Sequence, residues 1–286
     1  MSATQSEKAK RFRALHEGPG AFIIPNPWDA GSARILEGLG FQALATTSAG
    51  FAFSLGRRDG EVTREEVLAH CRAIVEASDL PVAADLENCF GDDSKTVAET
   101  IRLAAATGLA GGSVEDASGD ESRPIYEHAL AVERVAAAVE AAQSLGFPFT
   151  LTARAENFLH GRPDLDDTIR RLRAFAAAGA DVVYAPGLTS LEAIREVCAA
   201  VAPKPVNVLA GMKGANFPLA ELAAAGARRI SVGGALARAA LGGLLRAARE
   251  MKEKGTFTFV EEAAPSAEVG AFMEPRRKKA GEHGND

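Results

Sequence analysis

Three acidic side chains stand where two successive apolar segments of the chain end. Asp85 and Glu87 close the segment "PVAADLE", and Glu115 closes "GGSVE". Carboxylates that share one site repel each other and raise each other's pKa values unless a cation lies among them. A hard divalent cation that keeps several of its waters, such as Mg²⁺ or Mn²⁺, suits such ligands. The three acids therefore predict a metal site. The competing interpretation is that each acid caps a helix or pairs with an arginine.

Other residues at the ends of apolar segments indicate an anionic ligand. Arg154 ends the apolar segment "FTLTAR", and its planar guanidinium can bind a carboxylate or phosphonate through two hydrogen bonds. Ser48, Ala49 and Gly50 follow another such segment, and their small side chains let backbone N–H groups approach an anion. Trp28, the only tryptophan, serves either as packing or as an apolar wall of the pocket. A metal and an arginine together indicate a small substrate rich in oxygen.

The elements that must position these residues form a regular alternation. Short β-rich apolar segments, each followed by a stretch of helical periodicity, are typical of βαβ units and a parallel sheet. We predict eight strands: "AFIIP", "ALATT", "VAADL", "GGSVED", "FTLTAR", "VVYAP", "PVNVLA" and "RISVGG". Eight units without a linker predict one closed (β/α)8 TIM barrel, with Arg154 across the barrel from the acids. The alternative is an open doubly wound sheet, but "IIPNPWDAGSA" lacks the GxGxxG fingerprint expected after its first strand.

The alternation ends near residue 254. We expect the single barrel to occupy residues 1–254, and residues 255–286 to hold a C-terminal helix and a disordered charged tail. The helix would lie within "TFTFVEEAAPSAEVGAFM" and pack on a neighbouring subunit. The basic run "RRKK" in the tail is interpreted as a solvated chain end.

Composition excludes several classes of function. The formal net charge of -6 and the pI near 5.5 argue against a nucleic-acid partner, which needs clustered basic residues. Three distant cysteines supply neither a disulfide framework nor a zinc site. The chain begins without the apolar core of a signal peptide and has no apolar run of membrane-spanning length. We therefore expect a cytoplasmic protein with no membrane partner.

The order and spacing of six motifs resemble those of the isocitrate lyase and phosphoenolpyruvate mutase superfamily, over roughly residues 10 to 250. The motifs are "NPWDAGSARILEGLGFQALATTSAG", "LGRRDGEVT", "PVAADLENCFGD", "GLAGGSVEDAS", "TARAENFL" and "AGADVVYAPG". The resemblance implies a Mg²⁺-dependent barrel enzyme that cleaves or rearranges a bond beside a 2-oxo carboxylate. It also implies a homodimer or homotetramer whose subunits exchange their last helix.

The resemblance assigns roles to the acids. It implies that Asp85 is the direct metal ligand, that Glu87 and Glu115 hold the metal's water shell, and that Asp59 is the acid of a mobile loop that closes over the substrate. Members of the superfamily commonly have Asp in place of Glu87 and "GYG" in place of "CFG" at 89–91. Because the side chain of Glu87 is longer than that of Asp, it reaches a different water of the metal's shell.

The resemblance also assigns the groups that bind the substrate. Ser48, Ala49 and Gly50 match the backbone that binds the substrate carboxylate. Arg154 matches the substrate-binding arginine, and Asn207 matches a polar residue that lines the pocket. All of these residues belong to strand ends of the predicted barrel.

One motif of the superfamily is missing. The isocitrate and methylisocitrate lyase branches carry a "KKCGH" loop after the fourth strand, and its cysteine is regarded as the acid that protonates the departing product. The corresponding stretch here, "EDASGDESRPIYEHAL", has no cysteine, so these two activities are not expected. The leading hypothesis is a Mg²⁺-dependent lyase that acts on a small 2-oxo acid through an enolate, like an oxaloacetate decarboxylase. The alternatives are a phosphoenolpyruvate phosphonomutase or phosphonopyruvate hydrolase, and a non-catalytic 2-oxo acid binding protein.

Overall fold

The computed structural model describes residues 3–274, in which eight strands alternate with helices. The strands β1 to β8 are Phe22–Ile24, Leu44–Ala45, Val82–Asp85, Gly111–Glu115, Thr150–Arg154, Val182–Tyr184, Val206–Leu209 and Arg229–Ser231. The helices α1 to α11 are Gln5–Glu17, Ala30–Gly38, Ser48–Ser54, Arg64–Ala77, Ser94–Ala105, His128–Gln143, Leu165–Ala177, Leu191–Val201, Leu219–Ala224, Ala235–Lys254 and Ser266–Met273. A 3₁₀ helix at Thr258–Glu262 precedes α11.

The strands form a nearly closed parallel barrel. Their order in the sheet is β1-β8-β7-β6-β5-β4-β3-β2, and all seven neighbouring pairs are parallel. The two remaining edges meet where the N–H of Ala45 donates to the C=O of Pro25, at 3.1 Å. The (β/α)8 barrel is confirmed, and the open doubly wound sheet was the wrong alternative. All eight predicted strands are present, each slightly shorter than its apolar segment.

Two helices, α1 and α3, were not predicted from the sequence. Helix α1 begins with a capping box, in which Thr4 and Glu7 satisfy each other's backbone N–H groups. Its Phe12 is fully buried with Phe22 and Ile24 of β1, so α1 seals the N-terminal end of the barrel. Because only one narrow face of α1 enters the core, its sequence is mostly polar. The helix was therefore not recognised from hydrophobic periodicity. Helix α3 has seven residues, too few for periodicity to show.

The barrel interior is unusually open and polar. Outward-facing strand residues such as Leu151, Val183 and Ile230 pack against the surrounding helices in the main core. Inward-facing positions carry small or polar residues such as Ala83 and Thr152, whereas barrels of this type are usually filled by large branched side chains. A cavity of ≈190 Å³ therefore reaches from the C-terminal rim into the barrel.

The last described helix packs on its own chain. The ring of Phe272 in α11 lies against Gly38 of α2, and Arg34 donates to the C=O of Met273 at 3.0 Å. Exchange of this helix between subunits therefore stays a prediction. The tail from residue 275 onward, including "RRKK" at 276–279, lies outside the described residues. Within residues 3–274 no helix combines the length and the apolar character needed to cross a membrane.

His16 of α1 lies buried beneath the barrel floor. Its Nδ1 lies 2.8 Å from the C=O of Phe12, and because a carbonyl can only accept, Nδ1 carries the proton. Nε2 then faces Nη1 of Arg229 at 3.4 Å as an acceptor. Burial and the charge of Arg229 lower the pKa of His16 to about 3. The imidazole is therefore neutral in the folded protein.

A neutral His16 makes the stability of the fold depend on pH. Below the ordinary histidine pKa of about 6.5 the unfolded chain binds a proton that the folded chain refuses, so the free energy of unfolding falls as the pH decreases. We expect His16 to account for a loss of about 2 kcal/mol between pH 8 and pH 5. Urea unfolding across this range should show the loss in the wild type and in His160→Gln, an exposed control. His16→Gln should lack that part of the slope, and an unchanged slope would contradict the assignment.

Candidate active site

The predicted site residues meet at the C-terminal rim of the barrel, where two cavities adjoin. The interior cavity of ≈190 Å³ and a cleft of ≈1240 Å³ above it share Ser48, Asp59, Arg154 and Leu159. Asp85 and Asn207 line only the interior cavity. The cleft is bounded by further acids, Glu61, Glu65, Glu87, Glu99, Glu115 and Glu156. Arg154 is the cation that both spaces share, and it stands at their junction.

Arg154 is surrounded by carboxylates on three sides. Nη1 lies 2.8 Å from Asp85 Oδ1, Nη2 lies 3.1 Å from Glu115 Oε2, and Nε lies 2.8 Å from Glu156 Oε1. The expectation that Arg154 lies across the barrel from the acids was wrong. Glu115 and Arg154 are register partners on the adjacent strands β4 and β5, so their side chains leave the rim side by side. The competing interpretation, that the acids pair with an arginine, holds for Asp85 and Glu115.

The acids are held in a strongly desolvated environment. Burial raises the pKa of Glu115 well above its usual range, although Arg154 opposes this effect. Burial, and then the charges of Asp85 and Asp59, raise the pKa of Glu87 to about 8. Unlike the other two acids, Glu87 makes no ion pair with Arg154 among the described residues. The rim therefore holds more carboxyl groups than one guanidinium keeps ionised.

The donor set fits a hard cation that keeps part of its water shell. No group of three or more Asp, Glu, His or Cys side chains between residues 3 and 274 converges closely enough to enclose a metal. The available donors are nevertheless carboxyl oxygens, whose ionised form a bound cation favours, and Glu87 Oε1 is buried with no hydrogen-bond partner in the described part of the chain. Such donors suit Mg²⁺, which binds one or two carboxylates and retains waters. The roles of Asp85, Glu87 and Glu115 as ligands stay predictions.

The loop that carries Glu87 is strained. Glu87, Cys89 and Phe90 have φ values of 50°, 62° and 61°, in the left-handed region that favours glycine. Each such residue costs about 1–3 kcal/mol and persists only when its surroundings hold it. The departure from "GYG" to "CFG" therefore places Cys89 instead of glycine on a backbone conformation that favours glycine. The shape must be fixed by contacts from elsewhere.

Arg134 of α6 supplies those contacts. It is almost fully buried, at 1% exposure, and its guanidinium donates to the C=O groups of Asn88, Gly91 and Asp92. The Cζ of Arg134 lies 4.2 Å from the centroid of the Tyr126 ring, and the Tyr126 hydroxyl donates to Asp92 Oδ1 at 2.6 Å. Sequence reasoning missed both residues. The available signal was an arginine at a core-facing position of the apolar helix "HALAVERVAAAVEAA".

Replacing Arg134 by methionine should destabilise the protein. The change keeps the length of the side chain but leaves three buried carbonyl groups without a donor, so we expect a loss of about 3 to 5 kcal/mol. Urea unfolding measures the loss. Arg123→Met is the matched control, because the Arg123 side chain is 83% exposed. A loss below about 1 kcal/mol would show that Arg134 does not support the loop.

The expected anion-binding backbone has a different form from the one predicted. Ser48, Ala49 and Gly50 begin helix α3 rather than a loop. The Ser48 N–H donates to Asp85 Oδ2 and the Gly50 N–H donates to Thr47 Oγ1, each at 3.3 Å. Only the Ala49 N–H lacks such an acceptor among the described residues. Two of the three N–H groups predicted to face the substrate therefore already donate to groups of the protein.

Trp28 lies behind helix α3, outside both cavities. A Cβ atom added at Gly50 would come within 2.9 Å of Trp28 Cβ, which shows how closely the two residues pack. The C=O of Trp28 also accepts from Nε2 of His70 at 2.9 Å. Trp28 does not contribute to the lining of either cavity, so packing is its observed role rather than a pocket wall.

The remaining predicted residues do reach the cavities. Asp59 lies on the exposed loop between α3 and α4 and is hydrogen-bonded to the Ser48 side chain. Desolvation raises the pKa of Asp59. Asn207 is buried inside the barrel, where it contacts Arg229 and Ser231. Sequence reasoning missed Arg229, since nothing in a strand sequence distinguishes an inward from an outward arginine.

The three cysteines, Cys71, Cys89 and Cys198, are buried thiols without a disulfide partner. Burial raises the pKa of Cys71 and of Cys89 to about 12 and that of Cys198 to about 11. Thiols with such pKa values stay protonated at neutral pH and are poor nucleophiles. The expectation of no disulfide framework is confirmed.

Residues 12–252 match the sequence model of the phosphoenolpyruvate phosphomutase family. The chain belongs to this family. A crystal structure of a family relative from Burkholderia cenocepacia J2315, assigned provisionally as a lyase or mutase, is 59% identical, covers 95% of this chain and 97% of its own, and has a TM-score of 0.92. The 2-methylisocitrate lyase of Bacillus subtilis is 30% identical over 73% of this chain and 69% of its own length. The oxaloacetate decarboxylase of Bradyrhizobium diazoefficiens is 29% identical over 68% of each.

Membership of the phosphoenolpyruvate phosphomutase family confirms the resemblance to the isocitrate lyase and phosphoenolpyruvate mutase superfamily. Enzymes of this superfamily are C–C lyases or mutases, and the family relatives support an enzyme of that kind here. The methylisocitrate lyase relatives leave that activity open for this member of the family. The choice among activities therefore depends on the site itself.

Proposed function

We propose that the protein is a Mg²⁺-dependent lyase that cleaves a C–C bond of a small 2-oxo acid, with oxaloacetate decarboxylation as the nearest case. The observation that supports this most is the gathering of buried carboxyl groups around Arg154: the pKa of Glu87 and of Glu115 is raised, and a bound cation would lower both. Asp85, Glu115 and Glu156 share one guanidinium, while Asp59 and Glu87 stand close by. An anionic substrate can enter such a site only together with a cation that offsets the carboxylates.

Different residues of the chain would bind the metal ion and the substrate. When bound, Mg²⁺ would supply Lewis acidity that polarises the 2-oxo group. Asp85, Glu87 and Glu115 would hold the ion, and Arg154 together with the Ala49 N–H would face the negative oxygens of the substrate. The interior cavity is closed below by α1, so bulk water reaches the reacting bond only from the rim.

Decarboxylation suits the absence of an acid on the loop after β4. The bond between C3 and the departing carboxylate breaks, CO₂ leaves, and the electron pair forms the enolate of the remaining 2-oxo acid, which then takes a proton at C3. CO₂ leaves without needing a proton. The segment between Glu115 and α6 contains no cysteine, which disfavours isocitrate and methylisocitrate cleavage in our proposal. Closure of the loop that carries Asp59 would protect the enolate from water.

Phosphonate chemistry is the second candidate. The matching family model is that of phosphoenolpyruvate phosphomutase, and Asp59 lines both cavities, where it could act on a transferring phosphoryl group. In that case Asp59 would take part in the chemistry rather than only in loop closure. A non-catalytic 2-oxo acid binding protein would retain the same cavity without turnover.

We further propose that the protein works as a homodimer or homotetramer in the cytoplasm. Large apolar side chains stay exposed on and after α10, among them Leu244, Leu245, Phe257 and Val260, at 62%, 51%, 65% and 60%. Contact with a second copy would cover them. Three buried free cysteines suit a reducing compartment. Light scattering on the purified protein measures the oligomeric state.

Assays of a substrate panel test the proposed function. Oxaloacetate, methylated malates and citrates, and phosphonopyruvate are incubated with the protein, with and without EDTA. We expect release of CO₂ and pyruvate from oxaloacetate, lost with EDTA and restored by Mg²⁺. Asp85→Asn should lower kcat/KM by about 10²-fold or more, because a ligand charge is removed, while the exposed Asp166→Asn should match the wild type.

Three outcomes of the panel would contradict the proposal. Activity that survives EDTA would exclude the metal. Conversion of phosphonopyruvate to phosphoenolpyruvate or free phosphate, followed by ³¹P NMR, would favour the phosphonate alternative. Binding of 2-oxo acids without turnover of any of them would favour the non-catalytic protein.

A further inference from the structure

Arg229 of β8 is a buried cation without an acidic partner. It is 6% exposed, and no carboxylate between residues 3 and 274 forms an ion pair with it. Burial lowers the pKa of Arg229 to about 10, so the guanidinium stays charged at neutral pH. Two other buried arginines are better matched: Arg134 donates to three backbone carbonyl groups, and Arg171 donates to two carboxylates and one backbone carbonyl. Arg229 has no acceptor of either kind in the described part of the chain.

The guanidinium of Arg229 keeps N–H groups that no protein atom accepts. A guanidinium carries five N–H donors. In Arg229, Nε lies 2.9 Å from Asn207 Oδ1, and Nη2 lies 2.9 Å from Thr152 Oγ1. Nη1 faces Nε2 of His16 at the longer distance of 3.4 Å. One N–H on Nη1 and one on Nη2 therefore lack an acceptor among residues 3–274, and free N–H groups on an unpaired cation suit an anion.

The interior cavity that Arg229 lines has acids at its mouth and this arginine at its base. Thr152, which Arg229 contacts, precedes Arg154 by two residues on β5, a separation of about 7 Å along the strand. The acids that line the cavity, Asp59 and Asp85, belong to the rim, where Asp85 pairs with Arg154. The charge of Arg229 thus lies one layer below the acids and is exposed to the cavity.

Two hydroxyl groups line the cavity close to Arg229. Thr152 Oγ1 must accept from the guanidinium, which can only donate, so the hydrogen of this hydroxyl is left for another acceptor. Ser113 is the register partner of Thr152 on the adjacent strand β4, and it also lines the cavity. Neither hydroxyl has an acceptor in the described residues. Strands β4, β5 and β8 therefore bring free hydrogen-bond donors to the base of one cavity.

We propose that Arg229, Thr152 and Ser113 bind a small monovalent anion, of the size of chloride, at the base of the interior cavity. The ion would offset the buried charge of Arg229 and accept from its free N–H groups and from the two hydroxyls. The cavity of ≈190 Å³ has room for it, since a particle the size of a water molecule takes up about 30 Å³. The proposal is independent of the proposed function, because none of these three residues is assigned to the metal or to the substrate.

A carboxylate of the substrate has the same chemistry and is the alternative source of the anion. A full positive charge at the carboxylate that leaves would stabilise the ground state more than the transition state, in which that charge moves away, and would slow decarboxylation. We therefore assign the site to a free ion, and the experiment separates the two sources.

Thermal unfolding at constant ionic strength tests the site. Sodium gluconate, whose anion is much larger, is replaced stepwise by sodium chloride up to about 200 mM, so that the screening of surface charges stays the same. We expect the Tm to rise by about 5 °C, as for a ligand present at about a hundred times its Kd. Arg229→Gln should abolish this rise, and Thr152→Val should weaken chloride binding about tenfold. Arg228→Gln is the matched control, because Arg228 directly precedes β8 and does not line the cavity.

Bromide locates the ion directly. Crystals of the wild type soaked in sodium bromide should show an anomalous peak within hydrogen-bonding distance of Nη1 or Nη2 of Arg229. The peak should persist in Arg228→Gln and be lost in Arg229→Gln. Because the wild type alone shows where bromide binds, this measurement decides the question even if Arg229→Gln fails to fold.

The outcomes separate this site from the proposed function. A Tm that is the same in chloride and gluconate, a rise that persists in Arg229→Gln, or bromide found only on the protein surface would overturn the anion site. Oxalate with Mg²⁺ should bind with equal Kd in both salts, whereas competition by chloride would overturn the free ion and assign the place to a substrate carboxylate. A protein that shows the chloride effects but turns over no 2-oxo acid would keep the anion site and lose the lyase.

Discussion

The shared charge of Arg154 is the interaction on which the rim of this barrel depends. One guanidinium lies within 3.1 Å of three carboxylates, from Asp85, Glu115 and Glu156. A buried carboxylate without a counter-charge costs several kcal/mol, so Arg154 allows these acids to remain inside the barrel mouth. One positive charge does not keep all the carboxyl groups of the rim ionised, and the pKa of Glu87 and of Glu115 is raised. A divalent cation would favour their ionised forms, which is the physical reason for expecting one whenever an anionic ligand is bound.

Inside the barrel, a second buried arginine is surrounded by neutral groups instead of carboxylates. Arg229 has no acidic partner in residues 3–274, and its charge is met by the oxygens of Asn207 and Thr152 and by the neutral ring of His16. Small inward side chains leave the space that these polar contacts require, and α1 closes it from below. A donor-only cation at the base orders the hydrogen bonds above it. Polar side chains that would destabilise an ordinary core here hold the Asn207 amide in one orientation.

The loop after β3 connects the rim to the outer layer of helices. Its three left-handed residues are unfavourable by themselves, and Arg134 from α6 compensates by donating to three of the loop's carbonyl groups. The position of Glu87 thus depends on a side chain that is far from it in sequence. Changes in the packing of α6 are expected to reach the acids through this arginine, without contact with the ligand.

The sequence by itself determined the eight strands, most of the helices and the set of strand-end residues, because alternation of apolar segments and helical periodicity is a local property of the chain. Only the tertiary structure decided which side chains meet. Strand register placed Arg154 beside Glu115 rather than opposite it, and helix α3 occupied N–H groups expected to bind the ligand. The partners of Arg134, and the hydrogen bonds from Arg229 to Asn207 and Thr152, also came from the fold. Such pairings join residues distant in sequence, and only closure of the barrel brings them together.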